Sequence, residues 1–345
     1  MSEASTALTR LDEWLIKHDY TGWDPYDGLG SIWSKVPGKR CKQGVVQVIK
    51  RLPPIGRRIL AVPQHRMVKT LSLVVAGLAR APWLCDADER RKSLIGEIRM
   101  RRGVHAWGYE FDVQTRWGFY PAKSPNAIVT AFATEAVHKH LNSAERQAIA
   151  DWLTGEMWTG SHFRYVPGND TCIHNANVLS ARALHRLSPG DPLVIAALER
   201  TLERLPDGGL WTYGDAPALA WVDNFHTAYI LDALLDLVDA YPPLGQVLDV
   251  ASGRYLSQCF DSAGAPQYYA GGGGRLDVHN TATALNVLAR LSGAGLVSSG
   301  SVTPALTAAL SMERRPGEYA SSTAAVTFPR WNQAHMHKAL AEVSR

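Results

Sequence analysis

Between Asp27 and Asp86 the chain contains no acidic residue. Lysine and arginine recur over the same stretch, from Lys35 to Arg80, so a net charge of only +4 conceals one concentrated basic field. Such a field attracts polyanions, phosphates or an anionic leaflet. Other absences narrow the class further. The four cysteines, Cys41, Cys85, Cys172 and Cys259, form no Cys-x-x-Cys pair, which argues against a disulfide scaffold or a cysteine-rich zinc site. No His-Glu-x-x-His or Cys–His ligand spacing occurs, so neither a metal nor another cofactor is expected. RNP, zinc-finger and basic-zipper patterns are missing, and nucleic acid is not an expected partner. No window reaches the ~18 apolar residues of a membrane span. The opening MSEASTALTRLDEWL lacks the basic and apolar regions of a secretory signal. The expectation is a cytoplasmic protein, with its basic segment 35–69 available to the inner face of an anionic membrane.

What the chain does have is a repeat. PNAIVTAFATEAV (125–137), HNANVLSARALHRL (174–187), DNFHTAYILDALLDL (223–237), HNTATALNVLARL (279–291) and RWNQAHMHKALAEV (330–343) each open on an asparagine beside His, Asp, Pro or Trp. Each then continues as a helix with small residues on one face and aliphatic ones on the other. The asparagines Asn126, Asn175, Asn224, Asn280 and Asn332 recur at roughly 50-residue intervals, a period typical of helical-hairpin arrays. HRMVKTLSLVVAGLAR (65–80) is a more degenerate sixth member. Between them lie more polar helices at 2–18, 88–100, 142–153, 191–205, 243–260 and 301–310. NSAERQAI, with Ser143, Glu145 and Gln147, and DPLV, with Pro192, carry helix-start signals. One-faced helices belong outside and helices apolar all round belong inside. The reading is all-α: an (α/α)6 toroid of six hairpins spanning 1–345, with the basic segment 35–69 inserted between the first outer and first inner helix. An open solenoid is the alternative.

In a closed toroid the inner helices run the same way, and their N-terminal ends gather on one rim. That places His174, Asn175, Asp223, Asn224, His226, Asp277, His279, Asn332 and His335 around a central cavity. The segments just before these helices are rich in aromatics and glycine, and supply Trp107, Tyr109, Trp117, Tyr120, Trp158, Tyr165, Trp211, Tyr213, Trp221, Tyr268 and Tyr269. Aromatic rings beside carboxylates suit a ligand with apolar CH faces and many hydroxyls, that is, a sugar. Some of these rings are expected only to plug the spaces between hairpins.

Carboxylates fall in three places. Asp24 and Asp27 flank a proline-set turn in WDPYDG, a position where aspartate also serves the turn itself. Asp112, in WGYEFDVQTRWGF, sits among aromatics that would raise its pKa towards that of a general acid. Asp223 shares a helix's first turn with His226, either as a plain cap or as part of a site. The histidines at equivalent helix ends either tie neighbouring helices together or transfer protons near neutral pH.

The stretches WDPYDGL, KRLPPIGRRILAVP, WGYEFDVQTR with the downstream SPN, IHNAN, VDNFHT, LDVHN and PRWNQAH resemble, in this order, those of polysaccharide biosynthesis proteins from bacterial exopolysaccharide and capsule gene clusters. The resemblance runs from about residue 14 to the C-terminus. It implies an α/α-toroid and work on a glycan or lipid-linked oligosaccharide, with no reaction specified; Val113 and Trp117 depart from the aromatic or polar residues usual there. AWVDNFHTAYILDAL is also similar to the aspartate–tyrosine–histidine helix start of glucuronyl C5-epimerases.

Several chemistries remain open. Hydrolysis needs two carboxylates, for which Asp112 and Asp223 are the expected pair. Epimerisation or elimination at a uronate needs a base, His226 or Tyr109, and a cation, Arg116 or Arg275. A terpenoid-cyclase-like enzyme on a prenyl diphosphate is a second class, although no Asp-x-Asp-Asp motif is present. A non-catalytic glycan-binding component of a membrane synthesis complex is a third.

Overall fold

The computed structural model describes residues 2–115, 118–274, 277–320 and 326–344. Six inner helices alternate with six outer ones. The outer helices are α1 (Glu3–Lys17), α5 (Ala87–Met100), α7 (Ser143–Trp152), α9 (Pro192–Leu202), α11 (Leu244–Cys259) and α13 (Val302–Leu310). The inner ones are α4 (Val68–Arg80), α6 (Ala127–Val137), α8 (His174–Leu187), α10 (Asn224–Leu235), α12 (Val278–Gly293) and α14 (Ala334–Val343). Inner neighbours pack in chain order, and α14 packs against α4, which closes the ring. The fold is therefore the closed (α/α)6 toroid. At the closing contact a Cβ on Gly77 would come within 2.3 Å of His337 Nδ1, so glycine is what lets α4 and α14 meet.

The helices begin where the chain offers caps. Asn126, Asp223 and Asp277 each accept a backbone N–H at the head of α6, α10 and α12. Asp191 does the same for α9, with Pro192 at the first helical position. On α7 the cap is Asn142, in a reciprocal box with Glu145, and not the adjacent Ser143. The last inner helix opens with a π-helical turn, Pro329–Gln333, which displaces Arg330 and Trp331 from the register the repeat implied.

The C-terminal halves of the inner helices fill the ring's axis with charge. Arg182 (α8) donates to Asp232 (α10) and Glu135 (α6), each at 3.0 Å, and is itself buried. Arg290 (α12) pairs with Asp232 and Asp236, and Lys338 (α14) reaches Glu135 at 3.0 Å. Burial alone would raise the Glu135 carboxyl, but Lys338, Arg182 and Arg186 outweigh it and hold it below the usual carboxylate range. The same balance holds Asp232 far down, with Arg290 the largest opposing charge. Five of the six inner helices thus meet through one ionic plug.

The basic insertion is not an irregular loop. It forms α2 (Lys39–Arg51) and α3 (Pro54–Ile59). α2 turns Val46 and Ile49 inward, where a small second core of Trp23, Ile49, Leu60, Val62, Val326 and Phe328 anchors it. Gln43 Nε2 donates to Thr115 O at 2.8 Å, tying α2 to the hairpin in which Val113 pairs with Tyr120. This arrangement brings α2 over the N-terminal rim of the ring.

Candidate active site

On that rim lies a cavity of about 550 Å³. Its aromatic wall follows from the repeat. The first turns of three inner helices, α6, α8 and α10, each donate a backbone N–H to a tyrosine carbonyl in the next hairpin's approach loop: Ala127 to Tyr165, His174 to Tyr213, and Asn224 to Tyr268. The side chains of these three tyrosines line the cavity, together with Tyr26, Tyr109, Trp221, Tyr269 and Trp331.

Asp223 and His226 stand together in this wall. Asp223 Oδ1 caps α10 by accepting the His226 N–H at 2.9 Å. Its Oδ2 meets His226 Nδ1 at 2.6 Å and accepts from Trp221 Nε1 at 3.0 Å. One carboxylate therefore serves both as helix cap and as the partner that orients an imidazole. A neutral His226 that donates Nδ1–H to Asp223 carries its lone pair on Nε2, the arrangement of a general base. Tyr213 and Phe225 hold the ring from either side, with centroids at 4.4 and 4.0 Å.

Opposite charge comes from Arg330, whose Nε and Nη2 bind Asp24 at 2.5 and 2.8 Å, leaving Nη1 for the cavity. The guanidinium also lies over the ring of Tyr109, 5.2 Å from its centroid. Tyr109 and Tyr165 share a hydrogen bond of 3.0 Å. Burial raises the pKa of both phenols, so each keeps its proton at neutral pH. Tyr109 is thereby suited to donate a proton rather than to abstract one.

Deeper in the cavity, the Tyr229 hydroxyl lies 2.6 Å from His279 Nε2, 3.1 Å from His335 Nε2 and 3.3 Å from Lys69 Nζ. Burial, reinforced by the neighbouring cations, holds both imidazoles well below their ordinary pKa. This floor is a neutral hydrogen-bonded network.

Of the residues singled out in the sequence, the structure gathers Tyr109, Tyr165, Asn175, Tyr213, Trp221, Asp223, His226, Tyr268, Tyr269 and His279 around the cavity. Several others are placed elsewhere. Asp112 is turned to the Ala122 N–H at 2.8 Å, where it braces a loop, and is not brought beside Asp223 in the cavity wall. Asp24 sits behind Arg330, and Asp27 is buried against Arg57 at 2.9 Å. Trp107 and Trp211 are core residues whose indoles donate to Ile98 O and Thr201 O on outer helices. Asn224 donates to Cys259 O at the end of outer helix α11 and Asn332 donates to Tyr319 O, so these repeat asparagines tie inner helices to neighbouring segments of the chain. Asp277 caps α12 and accepts the Trp331 indole at 3.2 Å. Arg116 and Trp117, like Arg275, lie outside the described residues.

His174 lies 3.2 Å from Asp215 behind the wall, and with Cys172 these are three donors within 4.8 Å of one another. Asp215 is already paired with Arg200. Burial pushes the Cys172 thiol up to about 12 and His174 down to about 4.

Sequence reasoning missed Lys69 and Arg330. Both had a visible signal: a lysine in a helix otherwise apolar all round, and an arginine beside Trp331 in the PRWNQAH motif.

No family model matches the chain, and no curated protein matches it in sequence. Solved structures do match its fold. A possible member of the GH105 family from Salmonella enterica serovar Paratyphi A superimposes with a TM-score of 0.58 at 13% identity, covering 80% of this chain and 82% of that one. A polysaccharide lyase gives 0.56 at 10% identity, covering 87% and 96%. The ent-copalyl diphosphate synthase from Streptomyces platensis gives 0.54 at 15% identity, covering 90% of this chain and 56% of that one. At such identities the likeness defines the architecture; the chemistry has to be read from the site.

Proposed function

We propose that the chain is a carbohydrate-active enzyme that moves a proton to and from a sugar carbon, with His226 as base and Asp223 as its orienting partner. The observation that carries this reading is the carboxylate inventory. Among the described lining residues Asp223 is the only carboxylate, and it is occupied by His226 and Trp221. Acid–base hydrolysis with two carboxylates lacks its second member. In the proposed step His226 Nε2 takes the proton from a carbon next to a carbonyl or carboxyl group. The electron pair moves onto that group's oxygen, where the Arg330 charge stabilises it. The Tyr109–Tyr165 pair then returns a proton to the carbon, inverting it, or to a departing oxygen, completing an elimination. One fold neighbour is a polysaccharide lyase, which is in keeping with the second outcome. A cyclase would need an acid facing the cavity, whereas Asp86, Asp88 and Glu89 sit at the head of outer helix α5. Incubating the protein with neutral and uronic oligosaccharides in D2O tests the reading. Epimerisation should place deuterium at one sugar C–H position by NMR, and elimination should leave a conjugated double bond that absorbs in the ultraviolet; neither should appear with His226→Ala. New reducing ends with neither exchange nor unsaturation would overturn it in favour of hydrolysis.

We further place this enzyme in polysaccharide or glycolipid assembly, docked on an anionic bilayer, a context supported by the ordered motif resemblance and by the insertion's surface. Ile32, Trp33, Ile55 and Ile59 are 62%, 44%, 67% and 72% exposed. The Ile32 N–H donates to Leu60 O, which sets the first pair beside the second. Lys39, Arg40, Arg51 and Arg58 are exposed on the same insertion. Apolar side chains among cations, with no anion nearby, match an acidic headgroup layer. Gln43 and Gln47 of the same α2 line the cavity, so a docked molecule would hold its mouth close to the lipid. Sedimentation with phosphatidylglycerol vesicles should pellet the protein, and phosphatidylcholine vesicles should not. Each isoleucine contributes about 1.5–3 kcal/mol when buried, so Ile55→Ser with Ile59→Ser should weaken binding at least tenfold. Unchanged affinity of the double variant would remove the bilayer from the account, and dimerisation through this face would replace it with a second copy.

A further inference from the structure

Among the described residues, four lysine or arginine side chains are buried: Arg57, Lys69, Arg182 and Arg330. Three of them have a carboxylate in contact, Arg57 with Asp27 at 2.9 Å, Arg182 with Asp232 at 3.0 Å and Arg330 with Asp24 at 2.5 Å. Lys69 is the exception. It is 3% exposed, its hydrogen-bond partner is the Tyr229 hydroxyl at 3.3 Å, and its ammonium position lies over the Phe132 ring, 4.3 Å from the centroid. A buried cation without a counter-charge is strongly disfavoured, so such groups are paired or lose their proton. This one also lines the cavity. Resting on the reading of that cavity as a glycan site, we infer that the missing counter-charge is carried by the ligand: Lys69 recognises a carboxylate, and the glycan contains a uronic acid.

The surroundings of Lys69 bear this out from every packed element. Tyr229 comes from α10, Arg330 from the turn before α14, Lys338 from α14 itself, and His279 and His335 approach through Tyr229. Asp24 is the one anion that acts on it, and both oxygens of Asp24 are bonded to Arg330. Burial, then the Arg330 charge, hold the amine well below its ordinary range, which favours loss of its proton in the free protein. An arriving carboxylate supplies the stabilising charge, and the amine takes up a proton as the ligand binds. In the same pose Arg330 Nη1 reaches the second carboxylate oxygen, and the carbon bearing the carboxylate carries the proton that His226 removes.

Calorimetric titration tests this with three probes: oligoglucuronates, the same oligosaccharides with their carboxyls reduced to alcohols, and inorganic pyrophosphate. Runs in buffers of different ionisation enthalpy report proton uptake. The oligoglucuronates are expected to bind at least tenfold more tightly than the reduced forms, with uptake of about one proton per site near neutral pH. Lys69→Met should level the two affinities and abolish the uptake. Lys69→Arg, always charged, should keep the preference without uptake, and it decides the matter if Lys69→Met fails to fold. A carboxylate preference that survives in Lys69→Met, or equal binding of both sugars to the wild type, would overturn the assignment. Tighter, Lys69-dependent binding of pyrophosphate would overturn the uronate and put a phosphate in its place. The two readings fail separately. Deuterium exchange into neutral glycans without carboxylate preference removes Lys69 alone, whereas Lys69-dependent uronate binding with neither exchange nor elimination removes the proton-transfer function.

Discussion

Asp223→Asn is expected to lower kcat by ~10³–10⁴-fold while leaving the fold intact. The asparagine keeps an oxygen for the His226 N–H and remains a good helix cap, so α10 should start where it does now. What changes is the second contact. The carboxylate Oδ2 that accepts Nδ1–H becomes an amide that donates, and His226 must turn its lone pair from Nε2 to Nδ1. The imidazole then offers the cavity a proton instead of a base. His226→Ala should fall by a similar factor, and the double variant should be no worse than either, because the two residues act as one unit. Chemical denaturation of Asp223→Asn should stay within about 1 kcal/mol of the wild type. Turnover within a factor of three of the wild type would remove the dyad from the mechanism.

Arg182→Met should cost about 3–5 kcal/mol, the loss expected when one partner of a buried ionic network is deleted. Its side chain reaches three carboxylates on two helices, Glu135, Asp232 and Asp236, and none of these can find water where Arg182 stood. The penalty depends on pH with a definite sign. Glu135 and Asp232 have depressed pKa values in the folded chain. Their contribution is complete above the unfolded-state pKa, near ~4, and is lost progressively as pH falls below it. Urea unfolding at pH 7 should show the full gap between wild type and variant, and at pH 3.5 the gap should narrow. A constant gap at both values would mean that Arg182 acts by packing rather than by charge.

The ring was legible in the sequence because its cause is local. The repeats advertise apolar helices and aromatic loops, with side-chain caps at α6, α10 and α12, and those are the groups that build hairpins and the cavity wall. The leading asparagines marked the right places for a different reason from the one expected. Asn224 and Asn332 donate to carbonyls of their own chain, so recurrence there records hairpin geometry. Asp112 likewise is engaged by a backbone N–H of its own chain, that of Ala122. Arg330 and Lys69 were hidden because their roles are non-local. A repeat shows what hairpins share, whereas each of these occurs in a single hairpin and takes its meaning from residues 306 and 160 positions away, Asp24 and Tyr229. The insertion's helices were masked by their charge, since only Val46 and Ile49 of α2 are buried.

The ionic plug has a topological consequence. Below Tyr229 the axis holds a void of only about 10 Å³, between that ring and Asp232 and Lys338, before the charged cluster closes it. The cavity is a blind well, not a tunnel. A polymer cannot be threaded through the ring and worked on at internal positions as it passes. Under the proposed function, what reaches Lys69 is a chain terminus or one residue swung out of its chain, and the product leaves by the opening through which the substrate came.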